Sequence, residues 1–397
     1  MNFAFPAPAA LPEAQQPLAN ARPKRAESTL DYDIHGLLGV RLVDASTADR
    51  RAVEAQLGLE PSCFDGNPAL LVRFVEQLPV TGPVHYLGRE DVAFTKDAFI
   101  LLRSRNLARA RALIRFETIG TTVEILCETG LPAVPFLRPL MNLAMVARGI
   151  IPVHATAFRH HGTGVVVAGW SHGSKTGTLL SMMAAGARFV GDEWIYLSAR
   201  GDRMYGLPHE LEARACYLRE LPLERGKVRA SDRLRMTLAN RLASALAPLV
   251  PASERSDSVM SKMIRHAHLA LLEQQSVHLS PSRLFGAEAC LFESGLDIVV
   301  LALSHSAQEV VIEPASIEQI ADRMASSFLH EHATLLSCYR KQLFAFPERR
   351  LALIDQLEPI YRDLALRALT GKRAYIMSHP YPVTTAALSS ALLPIIG

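Results

Sequence analysis

Apolar residues fall in short runs bounded by turn residues over the first third of the chain, and at helical spacing over much of its last third. From Ile34 to about Glu128, the runs Gly39 to Val43, Ala98 to Arg103 and Thr121 to Cys127 alternate with turn residues, the pattern of strands. One Arg/Ala-rich segment among them, Asn106 to Phe116, reads as helix. Leu137 to Arg148 has helical character and stops at Gly149, a residue suited to the left-handed position that closes helices. Ile150 to Phe158, which follows, is apolar and short enough to be a strand.

The centre of the chain predicts strand, loop, helix and strand in order: Gly164 to Ala168, 169–176, Gly177 to Ala185, then Arg188 to Val190 running into Gly191-Asp192-Glu193. That order predicts a βαβ unit of an α/β domain. Beyond it, Arg229 to Leu249 and Asp257 to Gln274 predict helices, and Asp297 to Leu303 a buried strand. Several amphipathic segments lie between Ile317 and Leu369. The expected organisation is a Pro/Ala-rich disordered tail (1–30), an α+β N-terminal domain (31–135), an α/β domain (136–315) and a mainly helical C-terminal extension (316–397).

At 397 residues the chain exceeds what one hydrophobic core usually organises, and 49% hydrophobic against 20% charged residues is ample for packed cores. A net charge of +3 without a long Lys/Arg run gives no nucleic-acid footprint, so no nucleic-acid partner is expected. Five cysteines stand singly with no CxxC pair, unlike a disulfide framework or a zinc site, and fit a reducing cytoplasm. The N-terminus has prolines where a signal peptide needs an apolar core. In the most apolar stretch, Leu131 to Val153, Pro132, Pro135, Arg138, Pro139 and Arg148 interrupt the ~20 apolar residues that a bilayer crossing needs. A cytoplasmic protein with no membrane segment is expected.

The candidate chemistry lies in 169–176. A phosphate-binding loop has the pattern GxxxxGK[ST]: backbone N–H groups wrap the phosphates, Lys neutralises β and γ oxygens, and the hydroxyl holds Mg²⁺. The chain offers Gly169-Trp170-Ser171-His172-Gly173-Ser174-Lys175-Thr176, matching at Gly169, Lys175 and Thr176 but with Ser174 where the pattern has Gly. Read alone, it is as much a Gly/Ser-rich surface turn as a phosphate loop. The four small apolar residues before it and the helix-forming run after it supply the strand–loop–helix setting, and two neighbours add weight. Asp192, at the end of the run from Ala187 to Val190, is placed to reach a metal and a transferred phosphoryl group, with Glu193 beside it. His154 ends the run Ile150 to Val153, where a lone His is more often a packed strand residue.

Together VHATAF, GWSHGSKT and VGDEW resemble the kinase domain of the HPr kinase/phosphorylase family, with its HA- or HG-containing strand, GxSGxGK[ST] loop and acidic pair. Lys175 follows His154 by 21 positions and Asp192 follows Lys175 by 17, the offsets of that family. The resemblance covers about 135–315 and extends weakly to Ala374-Tyr375-Ile376 and Pro380-Tyr381-Pro382; the N-terminal domain is outside it. His172 and Ser174 stand where the family has glycines, and Glu193 replaces the second Asp.

The resemblance implies a P-loop nucleotide-binding α/β domain of the HPr-kinase C-terminal type, ATP or GTP with Mg²⁺, and transfer of the γ-phosphoryl group to a hydroxyl, foremost a Ser or Thr of an acceptor protein or peptide. It implies phosphate binding by Gly169, Ser171, His172, Gly173, Ser174, Lys175, Thr176 and Gly177, and Mg²⁺ on Thr176 with help from Glu193. Asp192 would accept the proton of the attacking hydroxyl, His154 would lie near Asp192, and Lys175 would act on the transferred group. A further metal-associated acid belongs in Gly206 to Arg214, where Glu210 and Glu212 are both open and Glu212 is carried as the candidate; an exposed charged helix start is the bland reading. The family forms hexamers, which makes homo-oligomerisation a further expectation.

Three alternatives remain open. The acceptor can be a small-molecule alcohol or sugar, since a phosphate loop does not distinguish acceptors. The chain can be a nucleotide-binding scaffold without turnover, its loop relaxed by His172 and Ser174. Gly169-Trp170-Ser171-His172-Gly173 also fits the GxSxG of a serine hydrolase, with Asp297 and His305 or His379 as nominal partners, although Lys175 and Thr176 then go unexplained. His160-His161 before Gly162 reads as a hairpin turn, and the i, i+2 spacing of His330 and His332 does not face one metal from a helix. No structural metal site is expected.

Overall fold

The computed structural model describes residues 28–80, 82–87, 92–102, 111–170, 173–250, 259–306 and 308–397. The first 27 residues of the expected tail, positions 106–110 of the expected helix, and Ser171 and His172 of the loop lie outside them. The architecture is mixed α/β, with two large mixed sheets and helices packed on them.

The first sheet has eight strands: β1 (Thr29–Ile34), β2 (Leu38–Val43), β3 (Leu70–Val75), β4 (His85–Tyr86), β5 (Val92–Phe94), β6 (Ala98–Leu101), β7 (Ala112–Arg115) and β8 (Val123–Glu128). Their spatial order is β1-β2-β3-β8-β7-β6-β5-β4. Helix α1 (Thr47–Leu57) joins β2 to the parallel β3; Ser46 and Asp49 cap its start reciprocally, and Gly58 at φ 71 closes it. Residues 112–115 correct the helix expected over Asn106 to Phe116. Ala112 and Ile114 bury their side chains in the core while the segment pairs with β6 and β8, so two strand partners override an Arg/Ala-rich local preference.

Helix α2 (Leu137–Ala147) follows and ends at Gly149 with φ 77, as its spacing predicts. The chain then enters β9 (Ile151–His160), turns at His161 and Gly162, both at positive φ, and returns as β10 (Thr163–Gly169). Next come α3 (Lys175–Ala184), β11 (Arg188–Gly191), β12 (Trp194–Leu197), β13 (Arg203–Gly206) and β14 (Leu211–Arg214). Helices α4 (Ala215–Glu220), α5 (Pro222–Gly226), α6 (Ala230–Leu246) and α7 (Val259–Glu273) precede β15 (Ser276–Leu279), which pairs with β14 as a separate ribbon. The strand β14 replaces the helix start that was the bland reading of 206–214.

The chain continues through α8 (Pro281–Phe285), β16 (Glu293–Gly295), β17 (Ile298–Ser304) and β18 (Val311–Pro314). Then come α9 (Ile317–Glu331), α10 (Ala333–Ala345), α11 (Ala352–Asp355), α12 (Leu357–Leu369), β19 (Arg373–His379) and α13 (Thr385–Ile396). The second sheet runs β16-β13-β12-β9-β10-β17-β19-β18, with β11 also paired to β9. Its central trio β10, β17 and β19 is parallel.

Two features of this sheet differ from expectation. The strands on either side of α3 are not neighbours: β9 lies between β10 and β11, antiparallel to each. The C-terminal segment also supplies the interior strand β19 between β17 and β18 as well as helices. Burial alternates along the strands. Val166, Ala168, Val299 and Leu301 face a core shared with α2, α9, α12 and the first sheet, whereas Val165, Val167, Val300 and Ala302 face α3 and α13.

The first sheet also buttresses the loop after β13. His35 Nε2 lies 2.8 Å from the Gly206 carbonyl, and a Cβ on Gly58 would stand 2.4 Å from the His209 backbone nitrogen. Among the described residues, no helix is long and apolar enough to cross a membrane.

Candidate active site

Strand β10 delivers Gly169 to the edge of the sheet, and α3 begins six residues later at Lys175. Gly173 N–H donates to the Trp170 carbonyl at 3.0 Å, which folds the chain back tightly before the helix. Ser174 caps the helix with φ 60 and ψ 16, in the left-handed region where glycine is at ease and a side chain is strained. Its hydroxyl is buried without a hydrogen-bond partner among the described residues, although Tyr217 stands near it. A Cβ on Gly177 would meet the Tyr217 ring at 2.5 Å, so the first turn of α3 needs a glycine where it passes under that ring.

Lys175 is only 7% exposed, and its ammonium donates to the carbonyls of Trp170 at 2.7 Å and Gly169 at 3.3 Å. Burial pushes its pKa down to about 8, against the pull of Asp192, Glu331 and Glu193. Thr176 Oγ1 donates to Asp192 Oδ2 at 2.9 Å. Asp192 leaves the end of β11 only 3% exposed, and burial raises its carboxyl above the usual range despite the Thr176 hydrogen bond. The sheet therefore brings the loop lysine, the loop hydroxyl and Asp192 together from the far side of β9.

Glu193, at φ 64, lies 3.4 Å from His209 Nε2. The surrounding protein works against its ionisation although the side chain is 58% exposed, but His209, Arg138 and His154 outweigh this and hold the carboxyl at about 2. His154 pairs in register with Trp194, whose ring stacks on the imidazole at 5.5 Å. His154 Nδ1 also lies 2.8 Å from Glu331 Oε1 at the end of α9. That contact leads the causes that lower the Glu331 pKa.

A cavity of about 130 Å³ gathers His154, Gly173, Ser174, Lys175, Thr176, Gly177, Asp192, Glu193 and Glu212, with Arg214, Tyr217 and Tyr381 completing the wall. Gly169 stands behind it as the acceptor for Lys175, and Ser171 and His172 lie outside the described residues. Glu210 is exposed and does not line the cavity, whereas Glu212 does, 3.9 Å from Arg214. No group of three or more His, Cys, Asp or Glu that could hold a metal occurs among the described residues. Thr176, Glu193 and Glu212, the residues expected to serve a metal, all line this cavity.

Sequence reasoning did not name Glu331 or Tyr217, and it met Arg214 and Tyr381 only as members of the segments Gly206 to Arg214 and Pro380-Tyr381-Pro382, with no role assigned. Glu331 and Tyr217 stand in no motif and reach the site through tertiary packing. Asp297, the acid nominated for a hydrolase, accepts from Gly164 N–H at 2.8 Å at the start of β10, the end of the strand away from the loop. No family model and no curated protein matches the chain.

Proposed function

We propose that the chain is a nucleotide-dependent phosphotransferase of the kind seen in HPr-kinase-like P-loop proteins, which moves the γ-phosphoryl group of ATP or GTP to a hydroxyl acceptor. The observation that carries this reading is the convergence of Lys175, Thr176 and Asp192 at the start of α3, with the Thr176 hydroxyl on the Asp192 carboxylate. Phosphoryl transfer asks little covalent chemistry of a protein; it asks for charge neutralisation, an in-line nucleophile and a carboxylate to take the proton. Lys175 supplies a cation in a water-poor setting, where it acts strongly on phosphate charge. Mg²⁺, when bound at Thr176, would add further neutralisation of the phosphate oxygens. Asp192, buried and raised, suits the proton acceptor, and His154, 2.8 Å from Glu331, lines the same cavity.

Calorimetry with MgATP and MgGTP on wild type, Lys175→Ala and Asp192→Asn tests the reading. Wild type is expected to bind, Lys175→Ala to lose affinity and Asp192→Asn to keep it. A wild type that binds neither nucleotide removes the reading. The hydrolase alternative loses its nominal acid, because Asp297 lies at the opposite end of β10. A scaffold without turnover remains the outcome if nucleotide binds and no acceptor is ever phosphorylated.

A further inference from the structure

We propose that a second cavity, on the His154 side of the phosphate loop, is the acceptor site and takes a small hydroxy acid; this rests on the phosphotransferase reading. The cavity measures about 210 Å³ and lies at the carboxyl ends of the parallel strands β10 and β17, with α9 across it. Ligands of open α/β sheets bind at such strand ends. His154 lines both this cavity and the one around Lys175, so the two are in contact through its imidazole.

Three side chains of this cavity bear on its ligand. Ser327 is 8% exposed and its Oγ has no hydrogen-bond partner among the described residues. A buried hydroxyl left that way is costly, and a bound polar ligand offsets the cost. One helical turn earlier, the exposed Arg323 lines the same cavity and has no acidic partner among the described residues. Trp170 is 48% exposed at the mouth, with the His330 ring 4.3 Å away.

The chemistry of the lining sets the ligand. Val153, Leu301, Leu303 and Met324 form an apolar wall for a carbon skeleton. The Arg323 guanidinium pairs with a carboxylate, and Ser327 donates or accepts beside it. At roughly 30 Å³ per water-sized group, the volume suits a compact acid of a few carbons and excludes a folded protein segment. The acceptor of this site is thus narrower than the protein or peptide Ser/Thr expected from the resemblance.

Approach from His154 also suits the reaction. His154, which lines the second cavity, lines the first together with Lys175 and Asp192, the groups that the phosphotransferase reading sets at the transferred phosphoryl. The acid's hydroxyl oxygen forms a bond to the γ-phosphorus, and the bond from that phosphorus to the bridging oxygen breaks. The nucleoside diphosphate leaves with that electron pair, and the hydroxyl proton passes to the Asp192 carboxylate.

The test titrates full-length protein with lactate, glycerate, 3-hydroxybutyrate and 3-hydroxy-3-methylbutyrate, reading tryptophan fluorescence and heat. Butyrate and 1,3-butanediol serve as controls lacking the hydroxyl and the carboxylate. At least one hydroxy acid is expected to bind and to be phosphorylated with MgATP, while 1,3-butanediol is neither bound nor phosphorylated. Arg323→Gln should weaken the acid at least tenfold, and Ser327→Ala severalfold, with MgATP affinity unchanged in both; thermal unfolding confirms that each variant is folded. Binding of none of the four acids overturns the proposal. So does a parallel loss of MgATP affinity in Arg323→Gln, which would make the cavity the nucleoside site. If wild type fails to bind MgATP while an acid binds through Arg323, the phosphotransferase reading falls and the acceptor role with it.

Discussion

The Thr176 hydroxyl and the Asp192 carboxylate meet at 2.9 Å although β9 separates the strands that carry them. The hydrogen bond only partly compensates a carboxyl buried at the sheet edge, whose pKa is raised. A carboxyl raised on folding costs stability when ionised: folding stability falls as pH rises from the unfolded value near 4 through the raised folded value. Asp192→Asn keeps an acceptor for Thr176 and removes the charge. It should raise stability at pH 7 and lose that gain near pH 3.5, where the carboxyl is largely neutral in both states. Phosphoryl transfer should fall about 10²–10⁴-fold. Denaturant melts at the two pH values check the first expectation; equal stability of the two proteins at pH 7 refutes it.

Lys175 gives a pH signature of opposite sign. With its pKa lowered to about 8, the unfolded chain holds a proton there that the folded chain releases between pH 8 and about 10.5. Stability from this group therefore rises with pH across that window, by roughly 3 kcal/mol, and the penalty is fully present below it. Lys175→Met should be more stable than wild type at pH 7 and should lose the difference by pH 10.5. Phosphate charge placed beside the ammonium should also draw the proton back. MgATP binding at pH 8.5 is then expected to take up a fraction of a proton, seen as a buffer-dependent heat; identical heats in buffers of different ionisation enthalpy would sink that expectation.

Ser174 carries strain at φ 60 together with a buried hydroxyl that has no hydrogen-bond partner among the described residues. A left-handed residue with a Cβ costs roughly 1–2 kcal/mol, whereas the extra freedom glycine gives the unfolded chain costs about 0.4–1 kcal/mol. Ser174→Gly should thus stabilise by up to about 1 kcal/mol and bind nucleotide at least as tightly as wild type. Ser174→Val, β-branched at a positive φ, should destabilise and weaken nucleotide binding. Thermal melts with and without MgATP check both, and a destabilised glycine variant would show that the Ser174 hydroxyl holds the loop.

The local part of this site is legible in the sequence because its physics is local. Four small apolar residues make β10, the helix-forming run after Thr176 makes α3, and Gly149 marks the end of α2. The pairing of strands is not local. β9 enters between β10 and β11 because both its faces are apolar and both its edges find partners, and no spacing in the chain announces that. For the same reason Glu331 is silent in the sequence: it ends an ordinary amphipathic helix, and only the packing of α9 on the sheet sets it against His154. The segment 112–115 shows the reverse case, where a helix-like composition yields to two waiting strand edges.

His332, one residue after Glu331, closes a buried polar chain behind the site and gives the last prediction. Its Nδ1 lies 2.7 Å from the Phe328 carbonyl, which can only accept, so Nδ1 carries the proton. Nε2 then accepts from Asn142 Nδ2 at 3.3 Å, and Asn142 Oδ1 accepts from the Tyr196 hydroxyl at 3.3 Å. With 1% exposure, burial lowers the His332 pKa to about 4, against the help of the Phe328 carbonyl and Glu331. The folded protein keeps this imidazole neutral while the unfolded chain binds a proton below about 6.5. Stability from this group is full above pH 6.5 and declines as pH falls toward 4, by roughly 3 kcal/mol in total. His332→Gln retains a donor and an acceptor but does not titrate, so it should be less stable than wild type at pH 7 while showing a shallower loss between pH 6.5 and 4. Urea melts across that range measure both curves, and parallel acid limbs would mean that the His332 proton does not couple to folding.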